Sequence, residues 1–412
     1  MTASYVTGDV IINNLYVYST RGTLNLSNAF VAASIYESIF TPGIVCDIIV
    51  ADTNDQLGQL KISGDEVVAF STAVMGGISA NYFFALYELG DLESMGAQKS
   101  KMYTLKCVSQ ESMFAKTNYV QKSYNMLCSE MIQDVHKNYL QSDKQIIVED
   151  SKGSQNIVIP NKNPFEAISL IKKRAVSSDN LSSSYVYYET RENEKQAYKF
   201  VTIESMFNGP VLKEFQQSDA INSNIRVGRI DNNILAYRVP RQLSSIDKID
   251  LAGPRKITAI NLTTQQFKSD VIQTNNTDFA TGGTKNSDTS SAFTNLYGSK
   301  NPRQAFIPVD WSERAATNIP ESSANFQAYL ALLMQNTMRI RVPGDTILVP
   351  GGLIFCNIPN KQAFTTNVKN DSLISGNFVI SRIHHRIGMV MERPRYTCII
   401  ECIKGKPNEG VQ

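Results

Sequence analysis

The sequence predicts a mainly β chain with α+β parts: two β domains, an α/β unit between them, and an irregular region inserted in the second. Three observations lead there. Short runs rich in β-branched and aromatic residues, separated by Gly, Pro, Asn and Asp turns, recur at both ends of the chain. A central stretch switches to helical spacing with a well-marked helix start. A span at 276–301 is dominated by Thr, Asn, Ser and Gly, a composition that buries little apolar surface. A chain of 412 residues is also too long for one ordinary core. The expected units are 1–104, a first β-barrel domain; 105–206, the α/β domain; 207–239 with 338–412, a second β-barrel domain; and 240–337, an insertion carrying a flexible loop at 276–301.

In the first unit, "GDVIINNLYVYS" reads as a strand. "AFVAASIYESIF" and "IVCDIIVADTND" read as two more, joined by the turn "TPG". "QLKISGDEVVAFSTAV" repeats the pattern, with Gly64 and Asp65 as a turn or bulge. Many short strands with frequent turns favour a barrel or sandwich. "YTLKCVSQESM" begins as a strand, and the texture changes near Tyr103. Beyond it Tyr124, Leu127, Cys128, Met131, Val135 and Tyr139 recur at three- and four-residue intervals, predicting an amphipathic helix with His136 partly exposed beside its apolar face.

"NPFEAISLIKKRA" carries a helix start: Asn163 to cap, Pro164 at the first helical position, and Glu166 placed to complete a capping box. Lys172, Lys173 and Arg174 fall where the helix dipole favours positive charge, so the run has a structural reason and is a poor argument for a phosphate site. A hairpin turning at "RENEK" follows. Strands return in "IRVGRIDNNILAYRV", and periodicity is then weak to about Pro320. "ESSANFQAYLALLMQNTM" reads as a helix. The chain closes with the strands "MRIRV", "DTILVPGGLIFCNIP", "SGNFVISRIHHRIG" and "RYTCIIECIKG".

Net charge is +2, with 40 basic and 38 acidic residues, which is not the footprint of a dedicated nucleic-acid binder. The start "MTASYVTGDV" lacks a signal-peptide pattern, and no run approaches the ~18 apolar residues of a membrane span. Assembly in a cytoplasm is the expectation. The six cysteines, at 46, 107, 128, 356, 398 and 402, form no CxxC and are expected as buried thiols; Cys398 and Cys402 share one strand face.

No nucleotide-loop, serine-hydrolase or zinc-protease motif is present. Asp52, Asn54 and Asp55 lack the glycine and terminal glutamate of a calcium loop. Glu37 and Glu66 are the one conceivable acid pair, and salt-bridge or lip roles fit them better. His384 and His385 are neighbours on a strand and therefore point to opposite faces, which rules out a shared metal. Alternation puts Val379, Ile383, His385 and Ile387 on an apolar face; it puts Phe378, Ile380, Arg382, His384 and Arg386 on a face that becomes basic. No catalytic, cofactor-binding or metal residue is assigned.

The closing strands in order, "RIRVPGDTILVPGGLIFCNIP", "DSLISGNFVISRIHHRIG" and "YTCIIECIKG", resemble the second tube-like domain of baseplate hub proteins of contractile-tailed, T-even-type bacteriophages. They are also similar to the amino-terminal half of type VI secretion spike proteins. "NLSNAFVAASIYESIFTPGIVCDIIVADTND" and "KISGDEVVAF" resemble the hub's first tube-like domain, and 105–206 falls where that family has its intervening domain. The resemblance covers most of the chain apart from about 240–325. It implies a structural virion protein with no catalytic activity and no cofactor. Three copies would form a pseudo-six-fold ring between the hexameric tail tube and the trimeric spike, contacting both and other baseplate proteins. DNA would pass through the lumen, the protein would sit in the tail baseplate, and it would not insert in membranes by itself. A phage-derived injection particle and a tail-associated cell-wall hydrolase are the alternatives. Near-neutral charge suits a lumen that DNA slides through.

Overall fold

The protein is mainly β, as the sequence predicts. The structure, a computed structural model, describes residues 8–53, 62, 64–74, 77–94, 101–180, 182–217, 232–241, 255–261, 265–272, 303–308, 337–359, 371, 374–390 and 393–404. The amino-terminal strands are β1 (Val10–Ser19), β2 (Gly22–Asn25), β3 (Phe30–Ser38), β4 (Val45–Asp52), β5 (Val67–Val74), β6 (Ser79–Ser94) and β7 (Lys101–Ser109). All pair antiparallel, and turns such as Thr41–Gly43 fall where the sequence places them. The division expected at 104/105 cuts β7, which pairs with β4 from Lys101 to Val108 as one continuous strand.

The middle of the chain holds α1 (Gln110–Thr117), β8 (Val120–Leu127), α2 (Cys128–Asp134), β9 (Gln145–Val148), β10 (Ser154–Lys162), α3 (Pro164–Lys172), β11 (Tyr185–Glu192), β12 (Lys195–Thr202) and α4 (Ile203–Phe207). The helix expected from Tyr124 is shorter: residues 120–127 pair with β10 as a strand, and the helical turn begins at Cys128. Tyr124 and Leu127 share the apolar spacing of a helix, but pairing with β10 takes their backbone. The helix relaxes into a π turn at Val135–Tyr139, and that widening draws His136 inward; it is buried, not half-exposed. In α3 the Asn163 side chain accepts from the Glu166 backbone N–H, as expected, while the Glu166 carboxylate turns to Lys162 at 3.7 Å instead of closing a capping box.

The remaining strands are β13 (Val211–Gln216), β14 (Ala236–Arg241), β15 (Arg255–Asn261), β16 (Gln266–Ile272), β17 (Arg303–Pro308), β18 (Thr337–Pro343), β19 (Leu353–Asn357), β20 (Gly376–Val390) and β21 (Arg393–Lys404). Strands β16, β15 and β17 form a separate three-stranded sheet inside the inserted region, where periodicity in the sequence is weak. The 276–301 loop and most of the helix expected at 321–338 lie outside the described residues; its last two, Thr337 and Met338, open β18. Strands β18 and β19 are not a hairpin. β18 pairs with β14 and β21, whereas β19 pairs with β13 and β20.

One sheet joins both ends of the chain, in the order β14-β18-β21-β20-β3-β4-β7-β6-β5-β1-β2. The link is antiparallel pairing of Arg382–Gly388 in β20 with Ala32–Ser38 in β3. Two irregularities set its faces. A register shift between Ile12 and Asn14 puts Leu15 and Val17 on the same buried side as Val10. A second, between Ile380 and Arg382, corrects the alternation expected for β20. Ser381 is the extra residue, so Phe378 and Ile380 join Ile383 and Ile387 in the core instead of sharing the arginine face.

A single apolar cluster lies under this sheet and includes Leu15, Phe70, Leu105, Ile340, Ile383 and Ile400. A second fills the α/β unit around Met131, Ile168, Tyr198 and Phe200. A third, with Ile39, Val186, Tyr188, Leu353 and Val379, seams the two together. Strand β11 is buried on both sides: Tyr185 and Tyr187 enter the α/β core, and Val186 and Tyr188 enter the seam. Gly351, at φ +77°, lies so close to the Tyr188 hydroxyl that any side chain there would displace it.

Candidate functional site

Glu37 and His385 come together at one buried polar junction. Pairing of β3 with β20 sets Ile35 opposite His385, and Glu37 lies two residues along on the same inward face. Tyr82 of β6 donates to Glu37 Oε1 at 2.8 Å. Arg191, at the end of β11, brings Nε to 3.7 Å from the same oxygen, and His385 Nε2 lies at 3.7 Å as well. The Arg191 fork donates to the carbonyls of Thr346 at 2.8 Å and Leu348 at 3.0 Å. His385 Nδ1 is 2.6 Å from the Tyr396 hydroxyl and 3.4 Å from Cys398 Sγ. Three separate stretches of chain thus meet at one buried carboxylate.

The electrostatics follow from that enclosure. Burial pushes the Glu37 carboxyl up, but Arg191, His385 and Tyr82 together hold it below the ordinary range. Burial disfavours the charge on His385, while Cys398 and Glu37 outweigh it and raise its pKa to about 9. At neutral pH the junction holds a carboxylate between two cations. His384, on the outer face, goes the other way: burial and the charges of Arg386 and His385 lower it to about 4. Its ring stacks on Tyr36 at 4.2 Å.

A second polar node fastens the same hairpin to the first β half. Glu189 accepts from the Ile44 backbone N–H at 3.2 Å, from Ser109 Oγ, from Gln196 at 2.8 Å and from Lys144 at 2.6 Å. Lys144 also reaches Glu111 at 2.7 Å. Complete burial raises the Glu189 carboxyl against the pull of Lys144, and the Glu111 charge adds to the rise. His136 is structural: Nε2 donates to the Lys144 carbonyl at 3.1 Å, Nδ1 faces the Tyr187 hydroxyl at 2.9 Å, and burial lowers its pKa.

Glu37 and Glu66 do not form a pair. Glu66 sits beside Leu86, four residues along β6 from the Tyr82 that holds Glu37, or roughly 14 Å of strand. The Glu66 carboxylate instead accepts from the Gly64 backbone N–H at 2.8 Å. Asp52 is buried at the end of β4, and Asn54 and Asp55 lie outside the described residues. All six cysteines are buried free thiols. Nothing in the sequence marked Arg191, Tyr82 or Tyr396; only the fold brings them together.

The outer face of the shared sheet is uneven. On β14, β18, β20 and β21 it carries Arg238, Arg339, Arg341, Arg382, Arg386 and Arg393, all exposed. Among the described side chains of β4, β6 and β7 its charges are Asp47, Glu88 and Lys106, with Lys106 paired to Glu88 at 2.8 Å. The alternating arginines of "MRIRV" and "ERPRY" were a readable sign of this.

The fold has counterparts among solved structures. A tail protein from Neisseria meningitidis overlays with a TM-score of 0.55 at 8% identity, over 95% of this chain and 96% of that one. The 43 kDa tail protein of prophage MuSo2 from Shewanella oneidensis gives 0.52 at 10% identity, over 95% and 98%. A component of the Escherichia coli type VI secretion system overlays at 0.49, with 8% identity over 97% and 77%, too loose to bear on function. No family model and no curated protein matches the sequence. The chain therefore has the fold of phage tail proteins, at a level of identity that speaks for fold alone.

Proposed function

We propose that this chain is the central hub of a contractile-tail baseplate: a structural virion protein, not an enzyme, acting as a homotrimer. The observation that carries the reading is the sheet that runs unbroken through both β halves. Among the described residues its two ends, β14 and β2, belong to different halves. Head-to-tail contact of β14 in one copy with β2 in the next is heterologous, and in this reading its rotation closes the ring after three copies. Such a ring alternates six β units, matching a six-fold tube on one side and a three-fold spike on the other. Strand β2 has four residues and β14 contains Pro240, features that discourage pairing with arbitrary strands.

In this reading 1–104, 105–206, 207–239 with 338–412, and 240–337 act as the ring-forming, bracing, ring-forming and peripheral units. The first boundary is moved to Ser109 to keep β7 whole. Partners are the spike, tube or tube-initiator proteins and other baseplate components, with DNA in transit and no membrane insertion. The fold shared with tail proteins supports this assignment. Native mass measurement tests it. The expected particle is about 137 kDa, three times 45.8 kDa, and gains mass with an added spike trimer. A monomer that ignores the spike contradicts it.

A further inference from the structure

Among the described residues the second β half carries six exposed arginines on one sheet face, and strand register puts them there. Arg238 faces Arg339, Arg339 faces Glu401, and Glu401 faces Arg382. Two residues further along each strand, Arg341 faces Ile399, which faces His384. Neighbouring strands lie about 4.8 Å apart and alternate residues about 6.8 Å apart, so the stems of Arg238, Arg339 and Arg382 stand one to three strand spacings from each other, with Arg341 one alternate residue along from Arg339. Glu401 is joined to Arg339, and to Arg382 at 3.2 Å. One carboxylate between two arginines leaves the area strongly positive, although the whole chain is only +2.

That arrangement works against the fold's own stability. Like charges directly opposite across strands, such as Arg238 and Arg339, destabilise a sheet. The same face of the first half avoids it by pairing Lys106 with Glu88. Among the described residues the exposed cations of the second half are all arginine; a planar fork suits phosphate oxygens better than the point charge of lysine. Among the described residues the surface is a sheet face with no base-reading helix, so it fits a regular, sequence-independent array of anions.

We propose that this arginine face is a contact surface for the phosphate backbone of double-stranded DNA. The choice of DNA as the polyanion rests on the hub reading; the site itself does not. Three such sectors in a ring, alternating with the nearly neutral sectors of the first half, would touch phosphates at intervals. Contact would then be local, which is compatible with DNA sliding past.

The test is fluorescence anisotropy of the full-length protein with a labelled mixed-sequence duplex of about 20 base pairs, from about 50 to 200 mM salt. The expected result is binding that weakens at least about tenfold over that range. The triple variant R341Q/R386Q/R393Q is expected to bind at least about tenfold more weakly, with the salt slope reduced by about three. The corresponding Arg→Lys triple keeps the slope, K106Q changes affinity less than about twofold, and unchanged melting shows that the variants fold. Absence of salt-dependent binding overturns the proposal, as does a Gln triple that binds like wild type. Polyglutamate that outcompetes the duplex at equal charge assigns the face to an acidic protein instead. Native mass of the same samples separates the two readings: trimers that ignore the duplex overturn only the phosphate contact, and monomers that bind it overturn only the hub.

Discussion

The two β halves contribute to one sheet and one apolar cluster, yet their polar chemistry differs inside and out. The first half meets the β11–β12 hairpin through backbone donors: Ile44 N–H to Glu189 and Phe83 N–H to Gln196. The second meets it through backbone acceptors, the Thr346 and Leu348 carbonyls taken by Arg191. On one strand, Glu189 thus accepts from the first half, while Arg191 joins Glu37 of the first half to the carbonyls of the second. Outside, the first half is nearly neutral and the second is crowded with arginine. The lesson is that a common strand framework fixes position, while the residues left over at its joints and faces decide what each half can hold.

The comparison breaks most sharply at Arg191. Arg191→Met strands the buried Glu37 carboxylate and two carbonyls; the expected loss is about 3–5 kcal/mol, read by denaturant unfolding. A loss under about 1 kcal/mol would mean that the halves are held by apolar packing alone. Next comes pH. His385 has a folded pKa near 9 against an ordinary 6.5, so its contribution is complete below about 6.5 and is lost as pH rises through 9. Stability should fall by up to about 3 kcal/mol across that window, and His385→Gln should flatten the fall. Glu37, held low, acts at the other end: its contribution is present above about 4.5 and disappears as pH falls.

Smaller effects mark regions remote from the joint. Asn163→Ala removes the α3 cap and should cost about 1 kcal/mol in thermal melts. Lys106→Gln breaks a half-exposed pair and should shift stability by no more than about 0.5 kcal/mol.

Much of this was legible in the sequence. Strands β1, β3, β4, β5, β20 and β21, the β11–β12 hairpin and the α3 cap all follow from alternation, turn residues and capping chemistry. The opposite facing of His384 and His385 also follows from strand geometry alone. What was not legible depends on partners distant in the chain. The pairing of β8 with β10 overrides a helical apolar spacing, and Ser381 shifts the alternation of β20 by one residue. The π turn that buries His136 depends on Tyr187 and the Lys144 carbonyl. Arg191 looks like an ordinary hairpin charge until Glu37, 154 residues earlier, arrives beside it.

The central claim is that the open ends of one sheet, β14 and β2, close three copies into a ring. Electron-microscopy class averages of the purified protein test it most directly. The expected result is a three-fold ring of six similar lobes, with β14 of one copy against β2 of the next at higher resolution. Monomers, or two-fold dimers joined through like edges, would contradict it.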